Sequence, residues 1–138
     1  MFKGINLTDY LYELRKDAKS AFFSVSAFAS VKIYLSVSAL LNILIWLSAR
    51  FIKKATGTEQ IALHYNVDFG IDYYDDAGKI FIIPVLGLII VLFNYFVAML
   101  VSQNKDAVMI FHILFASALL VNVVLLAAIV SVYLINFR

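Results

Sequence analysis

The chain has no cysteine, so disulfides, thiolate metal sites and cysteine nucleophiles are all excluded, while the redox compartment is left open. It has one proline and five glycines, too few for a linker-rich or low-complexity chain. It has only two histidines, His64 and His112, and no His-Glu-x-x-His, glycine-rich phosphate loop or dinucleotide fingerprint. No serine, histidine and carboxylate are spaced to suggest nucleophilic catalysis. Charge is scarce: 14% of residues are Asp, Glu, Lys or Arg, and the net charge of +2 is spread thinly. That leaves no basic face for nucleic acid.

What the chain has instead is apolar length. Apolar residues make up 64% of 138, against about 45–50% in soluble domains. A soluble domain of this size would lack polar surface to cover itself, so lipid must cover part of it. Ile80–Val101 holds no Asp, Glu, Lys, Arg or His, and Ala107–Phe137 holds only His112. At about 1.5 Å per residue these stretches reach about 33 and 46 Å, against a hydrocarbon core of about 30 Å. Only Ser102-Gln103-Asn104-Lys105-Asp106 lies between them, which forces antiparallel neighbours. A third span is expected at Ile33–Ala49, between Lys32 and Arg50, each able to snorkel.

The fold class that follows is an all-α membrane protein. It has three transmembrane helices, near 33–50, 80–102 and 107–136, an N-terminal amphipathic helix, and a short extended segment in the first loop. The division is a lead-in over 1–32, a span over 33–50, a loop over 51–79 and a helical hairpin over 80–138. No cleaved signal peptide is evident, because Asp9, Glu13 and Asp17 stand among the basic residues before the first apolar run. The first span is expected to be an uncleaved anchor, and one continuous helix from about Ser20 to Ile52 is compatible with the pattern.

In the lead-in, Leu7, Leu11, Leu14 and Ala18 recur at spacings of four, three and four, giving one apolar face. Two readings stand equally: a helix lying on the membrane or docking a partner, and a soluble lead-in. In the loop, Ile61, Leu63, Tyr65, Val67, Phe69 and Ile71 alternate with His64, Asn66, Asp68 and Asp72. Period two argues a strand with one covered face. A lone strand must pair within its own loop, lie across the helix ends, or pair with another copy. Little soluble surface is available in so short a chain. Leu63, Tyr65, Val67, Phe69 and Ile71 are therefore assigned to assembly with another copy or protein. Asp75-Asp76-Ala77-Gly78 reads as a turn, with Gly78 at the left-handed position.

His64, Asp68 and Asp72 share one side of that strand and are candidate ligands for a divalent cation. Their order matches no calcium loop, and a solvated strand face is the competing reading. No cofactor is expected. Within the spans, Asn42, Asn94 and Asn122 sit near a common depth, and His112 lies about one turn inside the third span. Amides in lipid are expected to face protein, so replacing Asn94 by leucine should weaken packing. His112 is expected to bond a carbonyl or a headgroup near the interface. A polar pathway is the sharper alternative for the asparagines, but no acid, lysine or arginine accompanies them. Pro84, in the first turn of its span, costs little there, and Gly87 permits close helix approach.

Leu63-His64-Tyr65-Asn66, then Phe69-Gly70-Ile71-Asp72, then the Pro84 span resemble a stretch in small multi-span membrane proteins of reduced-genome, candidate-phylum bacteria. The resemblance covers Leu63–Asn94. It implies a bacterial membrane protein whose extracytoplasmic loop matters, and it carries over no activity and no site residue.

The expected function is a non-enzymatic subunit or scaffold of a membrane assembly, held in the lipid bilayer as a homo-oligomer or with other membrane subunits. A small oligomeric transporter or channel is the alternative, and a metal-dependent membrane enzyme a more distant one. The expected location is the cytoplasmic (inner) membrane, multi-pass. Lys3, Arg15, Lys16, Lys19, Lys32 and Lys105 on one side, against Arg50, Lys53, Lys54, Lys79 and Arg138 on the other, favour a cytoplasmic N-terminus.

Overall fold

The computed structural model describes residues 7–57, 59–66, 68 and 70–137, with the side chains of Asp9, Tyr65, Asn66 and Asp72 outside that description. Helices α1 (Leu7–Ala27) and α2 (Ala29–Thr56) come first. Strands β1 (Gln60–Asn66) and β2 (Gly70–Asp76) follow. A 3-10 helix (Ala77–Phe81) then leads into α3 (Ile82–Val101), and α4 (Ala107–Phe137) closes the chain. Three segments are helical, long and apolar enough to cross a membrane: Ala29–Thr56, Ala77–Val101 and Ala107–Phe137. This is a multi-pass membrane protein, because in lipid only a helix satisfies its own backbone within one segment.

The expected continuous helix from Ser20 to Ile52 does not occur. Phe28 is extended, at φ −73° and ψ 125°, and separates α1 from α2. No proline or glycine stands there. At the break the Phe28 ring lies against Phe111 of α4 at 5.5 Å, a tertiary contact that the extended backbone accompanies. At its other end α2 stops at Gly57, in the left-handed region at φ 63°. Thr56 Oγ1 donates to the Ile52 carbonyl, and Lys53 and Lys54 face the negative end of the helix dipole.

Helices α2 and α4 run parallel. Tyr34 meets His112, Asn42 meets Asn122 and Phe51 meets Tyr133 in rising order. Helix α3 runs antiparallel to both, with Trp46 beside Phe81 and Tyr95 beside Phe115. Two apolar clusters fill the bundle. One holds Val25, Val31, Ala98, Ala107, Phe111 and Phe115 near the start of α2. The other holds Ile45, Ala49, Ile52, Ile61, Ala77, Ile80, Ile129 and Val132 near its end. Lipid tails are as apolar as these side chains, so within the bilayer the clusters hold by close packing and not by exclusion from water.

The hairpin completes the second cluster. From the level where Asn42 and Asn122 meet, α2 and α4 continue for 14 and 15 residues, about 21–22 Å. Helix α3 begins only two residues from Pro84, which touches that same level. The 3-10 helix and the β-hairpin occupy the remaining height. Ile61, Ala77 and Ile80 are buried there against α2 and α4.

Three loop expectations change. The extended segment pairs within its own loop, one of the three ways open to it, but as a two-stranded antiparallel hairpin, β1 against β2, that turns between Asn66 and Gly70. Register shifts between Ala62 and His64, and between His64 and Tyr65, break the strict alternation, so Ile61 and Ala62 are both buried. The segment after β2 is the 3-10 helix, begun by Asp76, whose Oδ1 accepts from the Gly78 amide. Gly78 is not left-handed. Among the described residues Gly57 and Gly70 are the glycines with positive φ.

Candidate functional site

A buried polar group lies between the two apolar clusters. Asn42 projects from α2 and Asn122 from α4, and both are buried. Asn42 Nδ2 donates to the Pro84 carbonyl at 2.9 Å and to Asn122 Oδ1 at 3.3 Å. Asn122 Nδ2 donates to the Ala118 carbonyl of its own helix. One residue from each of three helices therefore meets at one level. The expected glycine role holds here: a Cβ on Gly87 would stand 2.7 Å from Asn122 Oδ1 and 2.8 Å from Asn42 Nδ2.

Asn94 does not join them. It lies seven residues beyond Gly87, two turns or about 10 Å along α3. It is half-buried and donates to the Ile90 carbonyl one turn back. The common depth expected from span centres fails because α3 is shifted: its first turn, not its middle, meets the centres of α2 and α4. Among the described residues no buried side-chain nitrogen or oxygen lacks a partner, so the amide layer is closed upon itself.

His112 is exposed on α4, and its Nδ1 lies 3.3 Å from the Tyr34 hydroxyl, with the rings edge to face. Its protein partner is thus a side chain of α2. Tyr34 escaped the sequence reading because nothing local links residues 78 apart.

At the opposite end the hairpin is fastened to α4 through β1, and a local set of bonds orders the end of β2. Asn136, near the end of α4, treats β1 as an edge strand. Its Oδ1 accepts from the Ala62 amide at 3.0 Å, and its Nδ2 donates to the Ala62 carbonyl at 2.8 Å. On β2, the Lys79 ammonium donates to Asp75 Oδ2 at 2.6 Å, the Tyr73 hydroxyl donates to the same oxygen, and the Asp76 amide donates to Asp75 Oδ1. These three donors, Lys79 first, hold the Asp75 carboxyl at about 2, below its ordinary 3.8. The same bond pushes the Tyr73 phenol up. An asparagine in the last turn of an apolar helix was the available signal for Asn136, and the sequence reading missed it.

No family model, curated protein or solved structure matches this chain. Function therefore rests on the geometry alone.

The candidate metal ligands are His64 and Asp68, both exposed, and Asp72, whose side chain is outside the described residues. Among the described residues no group of three or more His, Asp or Glu is placed to hold a metal ion. Of the assembly residues, Leu63 packs against the second apolar cluster and Ile71 is half-buried. Val67 and Phe69, with the Tyr65 side chain, lie outside the described residues. The chain's own α2 and α4 cover Ile61 and Ala62, because both helices run well past α3. Burial of this face therefore gives no argument for a partner. Among the described residues of the hairpin, the large hydrophobic side chains that stay open are Tyr73 and Tyr74 of β2, at 48% and 57% exposure.

Proposed function

We propose that this chain is a non-enzymatic subunit or scaffold of a membrane assembly, seated in the cytoplasmic membrane of a bacterium with its N-terminus inside. The observation that carries the reading is the fastened hairpin. Asn136 fixes β1 to α4, the local Lys79–Asp75–Tyr73 contacts order the end of β2, and Tyr73 and Tyr74 stand exposed on the strand so held. Aromatic side chains held in place lose little freedom on binding, which suits them to protein contacts. The closed amide layer supports the same reading, because Asn42 and Asn122 hold helices together and offer no open polar path.

A small oligomeric transporter or channel is the second reading. It rests on Asn94, half-buried and bonded to its own helix, which several copies could turn toward a shared lumen. Native mass measurement in mild detergent tests both. The expected result is a particle heavier than one 15.5 kDa chain that loses mass when Tyr73 and Tyr74 are both replaced by serine. A lone chain, confirmed by the absence of crosslinked species in intact membranes, overturns the assembly reading. A homo-oligomer that keeps its mass without the tyrosines and passes ions in planar bilayers favours the channel.

A further inference from the structure

We propose that α1 is an interfacial helix whose amino-terminal half, from Leu7 to Lys19, lies in the phospholipid headgroup layer of the leaflet where α2 begins and α3 ends. The first observation is one continuous apolar stripe that is covered at one end only. Leu7, Leu11, Leu14, Ala18, Ala21 and Val25 follow at spacings of four, three, four, three and four, which keeps them on one face. Val25 is fully buried in the first apolar cluster, whereas Leu7 and Leu11 are 68% and 55% exposed.

The second observation is depth. Ser26 Oγ and the Tyr95 hydroxyl are 2.7 Å apart, and Phe22 lies against the Tyr95 ring. Twelve residues earlier, Leu14 lines a recess shared with Leu100, Ser102 and Gln103. Over about 18 Å of α1, its contacts thus advance eight residues, about 12 Å, along α3. The polar link Ser102–Asp106 marks the edge of the hydrocarbon, so α1 leaves the apolar core near Leu14. Seven further residues, about 10 Å of helix at the same inclination, put Leu7 about 7 Å outside. A bilayer about 40–45 Å thick with a core of about 30 Å has headgroup layers of about 5–7 Å. The stretch from Leu14 to Leu7 therefore crosses that layer, with Leu7 at its outer edge.

The third observation is chemical. The same stretch carries Tyr10 and Tyr12, both exposed, and Arg15, Lys16 and Lys19 balanced by Asp9, Glu13 and Asp17, a zwitterionic set in which Lys16 pairs with Glu13 at 3.7 Å and Lys19 Nζ sits 5.9 Å from the Phe23 ring centroid. Tyrosine rings and long cationic stems are what an interface accommodates. The exposed stripe also adjoins Phe22, which is exposed and stands one turn beyond Ala18.

The absence of cysteine makes the test direct. Single nitroxide labels are placed at Leu11→Cys and at Glu13→Cys in the full chain, reconstituted into vesicles of phosphatidylcholine and phosphatidylglycerol. Collision with oxygen and with a water-soluble nickel chelate is then measured by power saturation. The expected result is a ratio of oxygen to nickel accessibility several-fold higher at Leu11 than at Glu13, with Leu11 near the depth of the phosphates. Equal, water-like accessibility at both sites overturns the proposal and makes α1 a soluble lead-in. A Leu11 label shielded from both reagents overturns it in favour of a protein cover. Spin–spin broadening that vanishes on dilution with unlabelled chain identifies that cover as a second copy.

Discussion

Gly87→Ala adds one methyl group at the level where three helices meet, and the structure sets its cost. The new Cβ would stand 2.7 Å from Asn122 Oδ1, 2.8 Å from Asn42 Nδ2 and 3.1 Å from Leu125 Cδ1. Non-bonded heavy atoms settle at about 3.5–4.0 Å, so either α3 retreats or the amides turn away. Turning away forfeits an interhelical hydrogen bond, about 0.6–2 kcal/mol in a membrane. Retreat or overpacking costs about 1–3 kcal/mol. Against this, alanine favours a helix interior over glycine by up to about 1 kcal/mol. The net expectation is destabilisation by about 1–2 kcal/mol at the middle of these ranges and at most about 3 kcal/mol. Equilibrium unfolding in lipid–detergent micelles measures it, and Trp46 reports the event because its ring lies 5.5 Å from that of Phe81. The mechanism is checked by repeating the change on an Asn42→Ala, Asn122→Ala background, where the methyl group has room. There the penalty should shrink by at least about 0.5 kcal/mol. A Gly87→Ala protein as stable as its parent, or the same penalty on both backgrounds, would refute the close three-helix contact.

Other expectations follow from the same contacts. Asn122→Leu should destabilise by about 0.5–2 kcal/mol, whereas Asn94→Leu should change unfolding by under about 0.5 kcal/mol, reversing the weight given to Asn94 by sequence alone. Matching losses for the two would show that Asn94 also bridges helices. Asn136→Asp keeps an acceptor for the Ala62 amide but loses the donor to its carbonyl, so amide exchange across β1 should quicken without loss of the helices. Unchanged protection of β1 would show that the hairpin is held by packing alone. Asp75 has a folded-state value depressed to about 2 from 3.8, so its contribution is complete above pH 3.8 and is lost as pH falls through about 2. Tyr73 and Lys79 side-chain resonances should shift together over that window, and Asp75→Asn should abolish the coupled change.

The sequence alone determined the spans and the element types, because those depend on local quantities. Twenty or more apolar residues without charge have one solution in lipid, a helix that satisfies its own backbone. Five residues between two such helices leave only an antiparallel arrangement, and a loop alternating Ile61, Leu63 and Ile71 with polar residues favours extended backbone. What the tertiary structure decided is how far each element is slid along its neighbours. Chain positions 80 apart set the meeting of Asn42 with Asn122, and the start of α3 beside them left Asn94 two turns away. The same offset let α2 and α4 rise past α3, so the hairpin found its cover within the chain and its strand edge met Asn136. The extended Phe28 between α1 and α2 sits against Phe111, a residue 83 positions later, a contact that no propensity at Phe28 encodes. Relative translation along parallel and antiparallel helices is set by the sum of many weak interhelical contacts, and it has no period that can be read along the chain.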